Sequence, residues 1–207
     1  MNFNYPDGRK FQQESKPSKL NTTGAKKLIF GDRGMRLEDE INESNKYYRA
    51  HEIAVIYKKP TPIQIVKVDY PKRSRAVIKE AYFRQASTTD YNGIYQGHYV
   101  DFEAKETTNK NTFPLKNFHQ HQIDHLRACL KQGGICFVII KYVTLNKYFI
   151  MPASKLFKYW EGQKDDGPKS IQLSEVERDS YEITANYNPT LPYIEIINKL
   201  IESRKEQ

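Results

Sequence analysis

The chain has 207 residues, of which 38% are hydrophobic, and a formal net charge of +8. This length fits one domain, or one domain with an appendage, and the positive charge favours a polyanionic partner. The two cysteines exclude a disulfide framework and a cysteine-based zinc site, and no apolar run is long enough to span a membrane. Because the N-terminus has no apolar signal segment, we expect a cytoplasmic, anion-binding protein without a membrane partner.

Residues 1–32 differ in composition from the rest of the chain. Gly, Pro, Ser, Asn, Thr and Lys dominate there, and the apolar residues follow no period. The composition predicts a flexible basic N-terminal arm over 1–32 and a folded domain over 33–207. Such an arm either holds nucleic acid non-specifically or is an ordinary disordered tail, and composition leaves both interpretations open.

A helix is predicted from near Arg33 or Gly34 to about Arg49, since one face carries residues at helical spacing. That face consists of Leu37, Ile41, Ser44 and Tyr48. Two β-rich runs follow, at 53–57 and 63–68, separated by a segment with two prolines. The core of residues 70–87 fits a helix or a strand equally well.

The remaining segments alternate between strand and helix patterns. They are a hairpin over 88–105 with turn signals at Asn92-Gly93 and Gln96-Gly97, a helix over 115–132 closed by Gly133-Gly134, strands at 135–142 and 148–151, a helix over 152–160, a loop over 161–169 and a final helix over 193–203. Mixed helices and strands predict an α/β or α+β domain in which helices flank a mixed central sheet.

The densest positive stretch outside the arm lies at about 67–87. It has few acids, includes Tyr70, Tyr82 and Phe83, and its basic residues include Lys72, Arg73, Arg75, Lys79 and Arg84. A solvated charged face is the usual explanation of such a stretch. The aromatic residues among the charges favour a DNA-binding segment instead, because rings stack on bases while cations hold phosphates.

The candidate catalytic residues lie in the segment 99–105. Val100, Phe102 and Ala104 alternate with Asp101, Glu103 and Lys105, so a strand places two carboxylates and an amine on one face. Alternation of this kind also occurs on any exposed strand.

The preceding hairpin strengthens the catalytic interpretation. It can bring Asp90 beside Glu103, and two carboxylates a few ångströms apart stay ionised only near a cation. Mg²⁺ held by one or two carboxylates, water and substrate phosphate is the usual arrangement. Lys105 follows on the same face and can stabilise charge on phosphorus.

The pattern Asp-x12-Glu-x-Lys resembles the PD-(D/E)xK nuclease superfamily, although Thr89 stands where that motif has proline. The longer stretches GMRLEDEINESNKYY, STTDYNGIYQGHYVDFEAKET and FPLKNFHQHQIDH are similar to the RecU family of bacterial Holliday junction resolvases. This resemblance implies a restriction-endonuclease-like fold, a homodimer, Mg²⁺-dependent cleavage and a stalk that enters the four-way junction. It places the stalk at about 67–87 and implies a recombinase and a branch-migration helicase as partners, at the nucleoid.

The resemblance also suggests roles for single residues. Asp90 and Glu103 would be catalytic metal ligands, and Lys105 the transition-state stabiliser. Gln122 would supply a further oxygen to the metal or hold its water. Thr88 is preferred to Thr89 as the neutral ligand, because Thr88 and Asp90 have the same parity on a strand.

Three acids have no settled role at this stage. Asp101 shares the face of Glu103, and Glu38 and Glu43 lie on the first helix, which often supplies a further Glu in the superfamily.

The histidines of the predicted helix 115–132 admit two interpretations. His121 and His125 have a spacing that can bind zinc, but Gln122 stands where the H-E-x-x-H motif needs Glu. Helix-surface histidines near a DNA cleft are favoured. Cys129 and Cys136 are expected to be small core residues.

We therefore expect a Mg²⁺-dependent endonuclease that resolves four-way junctions by paired symmetric nicks, in recombination and DNA repair. The alternatives are an enzyme of the same fold that cuts ordinary duplex and a non-catalytic DNA-binding protein.

Overall fold

The fold is described from a computed structural model, in which residues 36–72, 75–84, 88–164 and 166–205 are described. Of Lys72, Arg75 and Lys205 only the backbone is described. The predicted arm over 1–32 lies outside these residues and stays a prediction. Within the described ranges no helix is both long and apolar enough to cross a membrane.

The described part of the chain forms five helices and ten strands. The helices are α1 (Leu37–Ala50), α2 (Gln120–Lys131), α3 (Ala153–Gly162), α4 (Leu173–Asp179) and α5 (Ile194–Lys205). The strands are β1 (Val55–Lys58), β2 (Ile63–Lys72), β3 (Arg75–Phe83), β4 (Tyr91–Tyr95), β5 (His98–Thr107), β6 (Thr112–Pro114), β7 (Ile135–Tyr142), β8 (Lys147–Pro152), β9 (Ser170–Gln172) and β10 (Tyr181–Ile183).

The central sheet has six strands in the order β1-β4-β5-β7-β8-β10. The β5–β7 pair is parallel and the other pairs are antiparallel. This arrangement confirms the predicted mixed sheet. The parallel pair needs a crossover connection, and α2 lies within it.

Each face of the sheet is covered by its own hydrophobic core. All eight residues of β7 are buried, and Phe137 and Ile139 join the core that contains α1 and α5. Val138 and Ile140 join the core that contains α2, α3 and α4. Since Glu103 pairs with Val138 in the β5–β7 register, its side chain points to the α2 side of the sheet.

The first helix confirms its predicted apolar face, because Leu37, Ile41, Ser44 and Tyr48 are all buried. Its predicted start at Arg33 or Gly34 is too early. The backbone of Arg36 is extended (ψ 151°), so the helix begins at Leu37.

The predicted turn at Asn92-Gly93 is wrong, since both residues lie within β4. The turn of the hairpin is at Gln96-Gly97, where φ is 47° and 77°. Gly93 instead allows β4 to lie close to β1. A Cβ added there would lie 2.0 Å from the carbonyl oxygen of Val55 on β1.

The helix predicted over 115–132 begins later than expected. A 3-10 turn occupies Leu115–Asn117, and α2 starts at Gln120. Gly133, with φ at 85°, closes the helix as predicted. The three-residue strands β6 and β9 and the short helix α4 were not predicted, because segments this short carry too little periodicity.

The strands β2 and β3 form a two-stranded antiparallel ribbon, a sheet separate from the central one. This settles the segment 70–87, whose core is a strand. Among the described side chains of the ribbon none is buried, and only Val68 is partly covered. Most of the stalk predicted from the sequence lies in this ribbon.

Candidate active site

The hairpin β4–β5 brings the first predicted pair of carboxyl groups together. Tyr91 pairs with Phe102, so Asp90 lies opposite Glu103 just before β4 begins. The backbone N–H of Asp90 donates a hydrogen bond to Glu103 Oε2 at 3.1 Å. Two acids from opposite sides of the hairpin therefore share one location.

Glu103 is fully buried and is held on every side. Its Oε1 accepts a hydrogen bond from Gln122 Nε2 at 2.7 Å and pairs with Lys105 Nζ at 2.7 Å. The pKa of Glu103 is raised to about 8, mainly by burial; the Lys105 ammonium opposes this shift and the charge of Asp90 adds to it. A buried carboxyl group beside a second acid is a group that a bound cation would ionise.

That raised pKa gives a prediction for the metal-free protein. In chelator, the unfolded state loses the Glu103 proton near the ordinary pKa of 4.5, whereas the folded state keeps it up to about pH 8. The stabilising contribution is thus complete below pH 4.5 and is lost as the pH rises toward 8. The shift corresponds to a few kcal/mol, on the order of 1.4 per pH unit.

Denaturant unfolding in chelator checks this prediction. Between pH 5 and pH 8, the free energy of unfolding should fall more in the unmodified protein than in Glu103→Gln, which does not titrate. Equal falls in both proteins would show that Glu103 is ionised in the folded state.

Asp101 belongs to a second cluster on the same face. It is fully buried, and its Oδ2 lies 2.8 Å from Lys59 Nζ, 2.7 Å from the Tyr99 hydroxyl and 3.1 Å from His125 Nε2. Its Oδ1 accepts a short hydrogen bond from the Thr89 hydroxyl. Both carboxylate oxygens of Asp101 therefore have hydrogen-bond partners within the protein.

The reason given for preferring Thr88 over Thr89 is wrong. Residues 88–90 precede β4, which begins at Tyr91, so strand parity does not apply to them. Thr89 is buried and its hydroxyl is committed to Asp101. The Thr88 hydroxyl is half-buried and lies 3.3 Å from the carbonyl oxygen of Thr89, so its oxygen keeps accepting capacity.

Gln122 lies beside Glu103, with its amide nitrogen toward the carboxylate. Its amide oxygen accepts a hydrogen bond from the backbone N–H of His119 at 3.0 Å, which caps the N-terminus of α2. The cap fixes the side chain, and the side chain fixes one oxygen of Glu103.

Among the histidines of α2, His125 lies in the cluster of Asp101. His125 contacts Asp101 and lies 3.5 Å from Cys129 Sγ, while His119 and His121 stack on each other with ring centroids 5.5 Å apart. Cys136 is a buried core residue as expected, and Cys129 is partly buried and packs against the same core.

The ligand atoms of Asp101, His125 and Cys129 lie within 4.8 Å of one another. Oxygen, nitrogen and sulfur donors of this kind suit zinc. However, the Lys59 ammonium lies 2.8 Å from Asp101 and 3.4 Å from His125, so the cluster already contains a cation.

The two acids of α1 whose roles the sequence left open each pair with a lysine. Glu38 pairs with Lys58 and Glu43 with Lys46, both at exposed positions. Burial raises the pKa of Tyr91, and the charges of Glu38 and Asp90 raise it further.

The sequence did not single out the buried acid of α1, Glu40. Both of its oxygens bind Lys141 at 2.8 Å, and the Tyr148 hydroxyl donates to Oε1. This group ties α1 to the sheet on the face away from Glu103.

The basic residues assigned to the stalk are only partly described. Lys79 is exposed on β3 and pairs with Asp69 at 3.5 Å. Arg84 follows β3 and donates to Gln64 Oε1 at 3.1 Å. Lys72 and Arg75 face each other in the backbone register, and Arg73 lies outside the described residues.

Comparisons with known proteins identify the family of the chain. The sequence model of the family RecU, recombination protein U, matches residues 32–199. A Holliday junction resolvase RecU of Latilactobacillus sakei is 60% identical over 203 residues, covering 97% of each chain. Proteins of the same name from Lactiplantibacillus plantarum and Limosilactobacillus reuteri are 57% and 56% identical, over 98% and 99% of this chain and 97% and 100% of theirs.

Among solved structures, the Holliday junction resolvase Hjc of Archaeoglobus fulgidus overlaps 70% of this chain and 91% of its own. The sequence identity is 10% and the TM-score 0.40.

Proposed function

Because the chain belongs to the RecU family, we propose that it is a metal-dependent endonuclease that resolves Holliday junctions by paired, symmetric nicks. The observation that carries the proposal is the convergence of Asp90, Glu103 and Lys105 at one buried edge of the β4–β5 hairpin. Two carboxyl groups and an ammonium are the groups that phosphodiester hydrolysis requires at a metal site.

The donor set fits a hard divalent cation, and we propose Mg²⁺. Asp90 and Glu103 provide carboxylate oxygens, the Thr88 hydroxyl a neutral oxygen, and Gln122 an amide within reach of Glu103. Carboxylate and hydroxyl oxygens suit Mg²⁺ better than a thiophilic metal, and the Gln122 amide nitrogen holds Glu103 in place beside them. Mg²⁺ bound there would neutralise phosphate charge and make a water molecule more acidic.

The protein's own groups divide the remaining work. Gln122 holds one oxygen of Glu103 and thereby fixes the direction of the carboxylate. The Lys105 ammonium, one-fifth exposed, faces the site and stabilises negative charge on the phosphoryl oxygens. Water attacks phosphorus in line, the bond from phosphorus to the 3′ oxygen breaks, and a 5′-phosphate and a 3′-hydroxyl remain.

Junction selectivity is assigned to the ribbon β2–β3. Its described side chains project into solvent, and they combine cations with exposed Tyr70, Tyr82 and Phe83. An element of this shape and charge can occupy the open centre of a four-way junction, which a duplex does not offer. Phosphate contacts would supply the affinity, and the shape of the DNA the selectivity.

We further propose that the chain acts as a homodimer, because two symmetric nicks need two sites. An exposed apolar patch on the sheet edge is consistent with this. Val55 pairs with Ile94 in the register, Tyr57 lies on the same face, and all three are more than half exposed. A recombinase and a branch-migration helicase are proposed as partners, at the nucleoid.

Cleavage of a synthetic mobile four-way junction tests the function. With Mg²⁺, we expect paired nicks at symmetric positions on the junction and no cleavage of a duplex of equal length. Asp90→Asn, which keeps the shape of the side chain, should cut neither. Equal cleavage of junction and duplex would support the duplex-cutting alternative, and junction binding without cleavage under any divalent ion would support a non-catalytic role.

A further inference from the structure

Lys59 lies at the joint between the central sheet and the ribbon. It follows β1 directly, and Pro60-Thr61-Pro62 leads from it into β2. The chain returns from β3 to the sheet through residues 88–90, which precede β4. The outgoing and the returning segments therefore pass each other at Lys59.

Lys59 binds the returning segment with both its backbone and its side chain. Its backbone N–H donates to the carbonyl oxygen of Asp90 at 2.7 Å. Its ammonium donates to the Thr89 hydroxyl at 2.9 Å and to Asp101 Oδ2 at 2.8 Å. The side chain is only 18% exposed, so these bonds are largely shielded from water.

The three side chains of this clasp, Lys59, Thr89 and Asp101, bond one another in a closed triangle. Thr89 donates to the second oxygen of Asp101, which is fully buried on β5. Asp101 is itself fixed by His125 from α2. Removing one member would leave a buried polar group without its partner, so the triangle has one favourable arrangement.

The clasp fixes the backbone that carries a proposed metal ligand. Asp90 is bonded to Lys59 through its carbonyl oxygen and to Glu103 through its N–H, and Thr89 precedes it. The position of the Asp90 carboxylate thus depends on the joint of the ribbon. A displacement of the ribbon would be transmitted to this carboxylate through Lys59 and Thr89.

We propose that Lys59 is a positioning residue that couples engagement of the ribbon by a junction to the placement of Asp90 for metal binding. The inference rests on the proposed function and deepens it, since it assigns a residue to structure selectivity. Lys59 acts through Thr89 and Asp90 and does not contact the reacting atoms.

Two variants test the clasp. Lys59→Met keeps the length of the side chain without its charge, and Thr89→Val removes only the hydroxyl. Thr89→Ser keeps a hydroxyl at this position and is the control for Thr89→Val. Lys147→Met removes a lysine charge from an exposed ion pair with Glu177 and is the control for Lys59→Met. Thermal unfolding of each variant shows that it is folded.

The first readout is free of activity. In chelator, hydrogen exchange of the peptide covering 88–91 should be about tenfold faster in Thr89→Val than in the unmodified protein or Thr89→Ser. Adding four-way junction should slow this exchange in the unmodified protein, and much less in Thr89→Val. The reciprocal measurement is calorimetry with Mn²⁺, in which both clasp variants should bind about 10–100-fold more weakly.

The second readout separates binding from cleavage. Junction affinity in chelator should stay within about twofold of normal, while the Mg²⁺ concentration for half-maximal cleavage rises about tenfold or more. Normal exchange and normal Mn²⁺ binding in Thr89→Val would overturn the proposal, as would a loss of junction affinity in Lys59→Met parallel to its loss of cleavage. If the unmodified protein cuts no junction, the proposed function fails, whereas the exchange and Mn²⁺ results still decide the clasp.

Discussion

Replacing Glu103 by glutamine is expected to lower junction cleavage by at least about 10³-fold and to leave junction binding intact or tighter. The change removes a charged metal ligand, and metal-derived charge stabilisation is worth several kcal/mol, at about 1.4 kcal/mol per tenfold in rate. Glutamine keeps the size of the side chain, which is fully buried. Binding should not weaken, because glutamine places no negative charge near the phosphate.

Single-turnover cleavage in Mg²⁺ and gel-shift binding in chelator measure the two effects separately. Glu43→Gln is the matched control, since Glu43 pairs with Lys46 at an exposed position of α1. If the Glu103→Gln protein cuts junctions at the normal rate, Glu103 is not an active-site residue. The acidic strand would then have only a structural role in the sheet.

Neutralising Lys72, Arg73 and Arg75 is expected to have the second large effect. In a Lys72→Ala, Arg73→Ala, Arg75→Ala protein, junction binding should weaken strongly and duplex binding far less, because only a junction admits the ribbon to its centre. If each cation holds one phosphate, the slope of log affinity against log salt should fall by about three.

Salt-dependent binding to junction and duplex checks this expectation. Alanine at Lys158, Lys164 and Lys199, all exposed, removes the same number of charges elsewhere on the chain and serves as the control. Equal losses on both kinds of DNA would mean that the ribbon is a general basic patch and that selectivity lies elsewhere.

Local patterns predicted much of the fold. The helical spacing of Leu37, Ile41 and Tyr48 predicted α1, and the buried run 135–142 predicted β7. Pairing between strands that are not neighbours in the sequence, such as β1 with β4 and β5 with β7, could not be predicted, because it depends on contacts far apart in sequence. Asn92-Gly93 reads as a turn by residue type alone, and only the proximity of β1 explains the glycine.

The residues of the site likewise fall into those that local sequence patterns predict and those that depend on distant contacts. Asp90, Glu103 and Lys105 could be singled out because a hairpin and strand alternation are local features. The clasp could not, since Lys59 and Asp101 are 42 residues apart and Asp101 and His125 are 24 apart. The sequence places Asp101 on the same strand face as Glu103, which indicates that it lies near the site. Its partners can be identified only from the three-dimensional structure.

The exposure of the ribbon has a consequence for the protein in the absence of DNA. Each of its two strands has one partner and one open edge, and Ile63, Ile65 and Phe83 are among its exposed apolar side chains. Open edges with apolar side chains promote strand pairing between copies and aggregation. Lysine and arginine on such an edge oppose this by mutual repulsion, so the charges proposed to hold phosphate would also keep copies of the free protein apart.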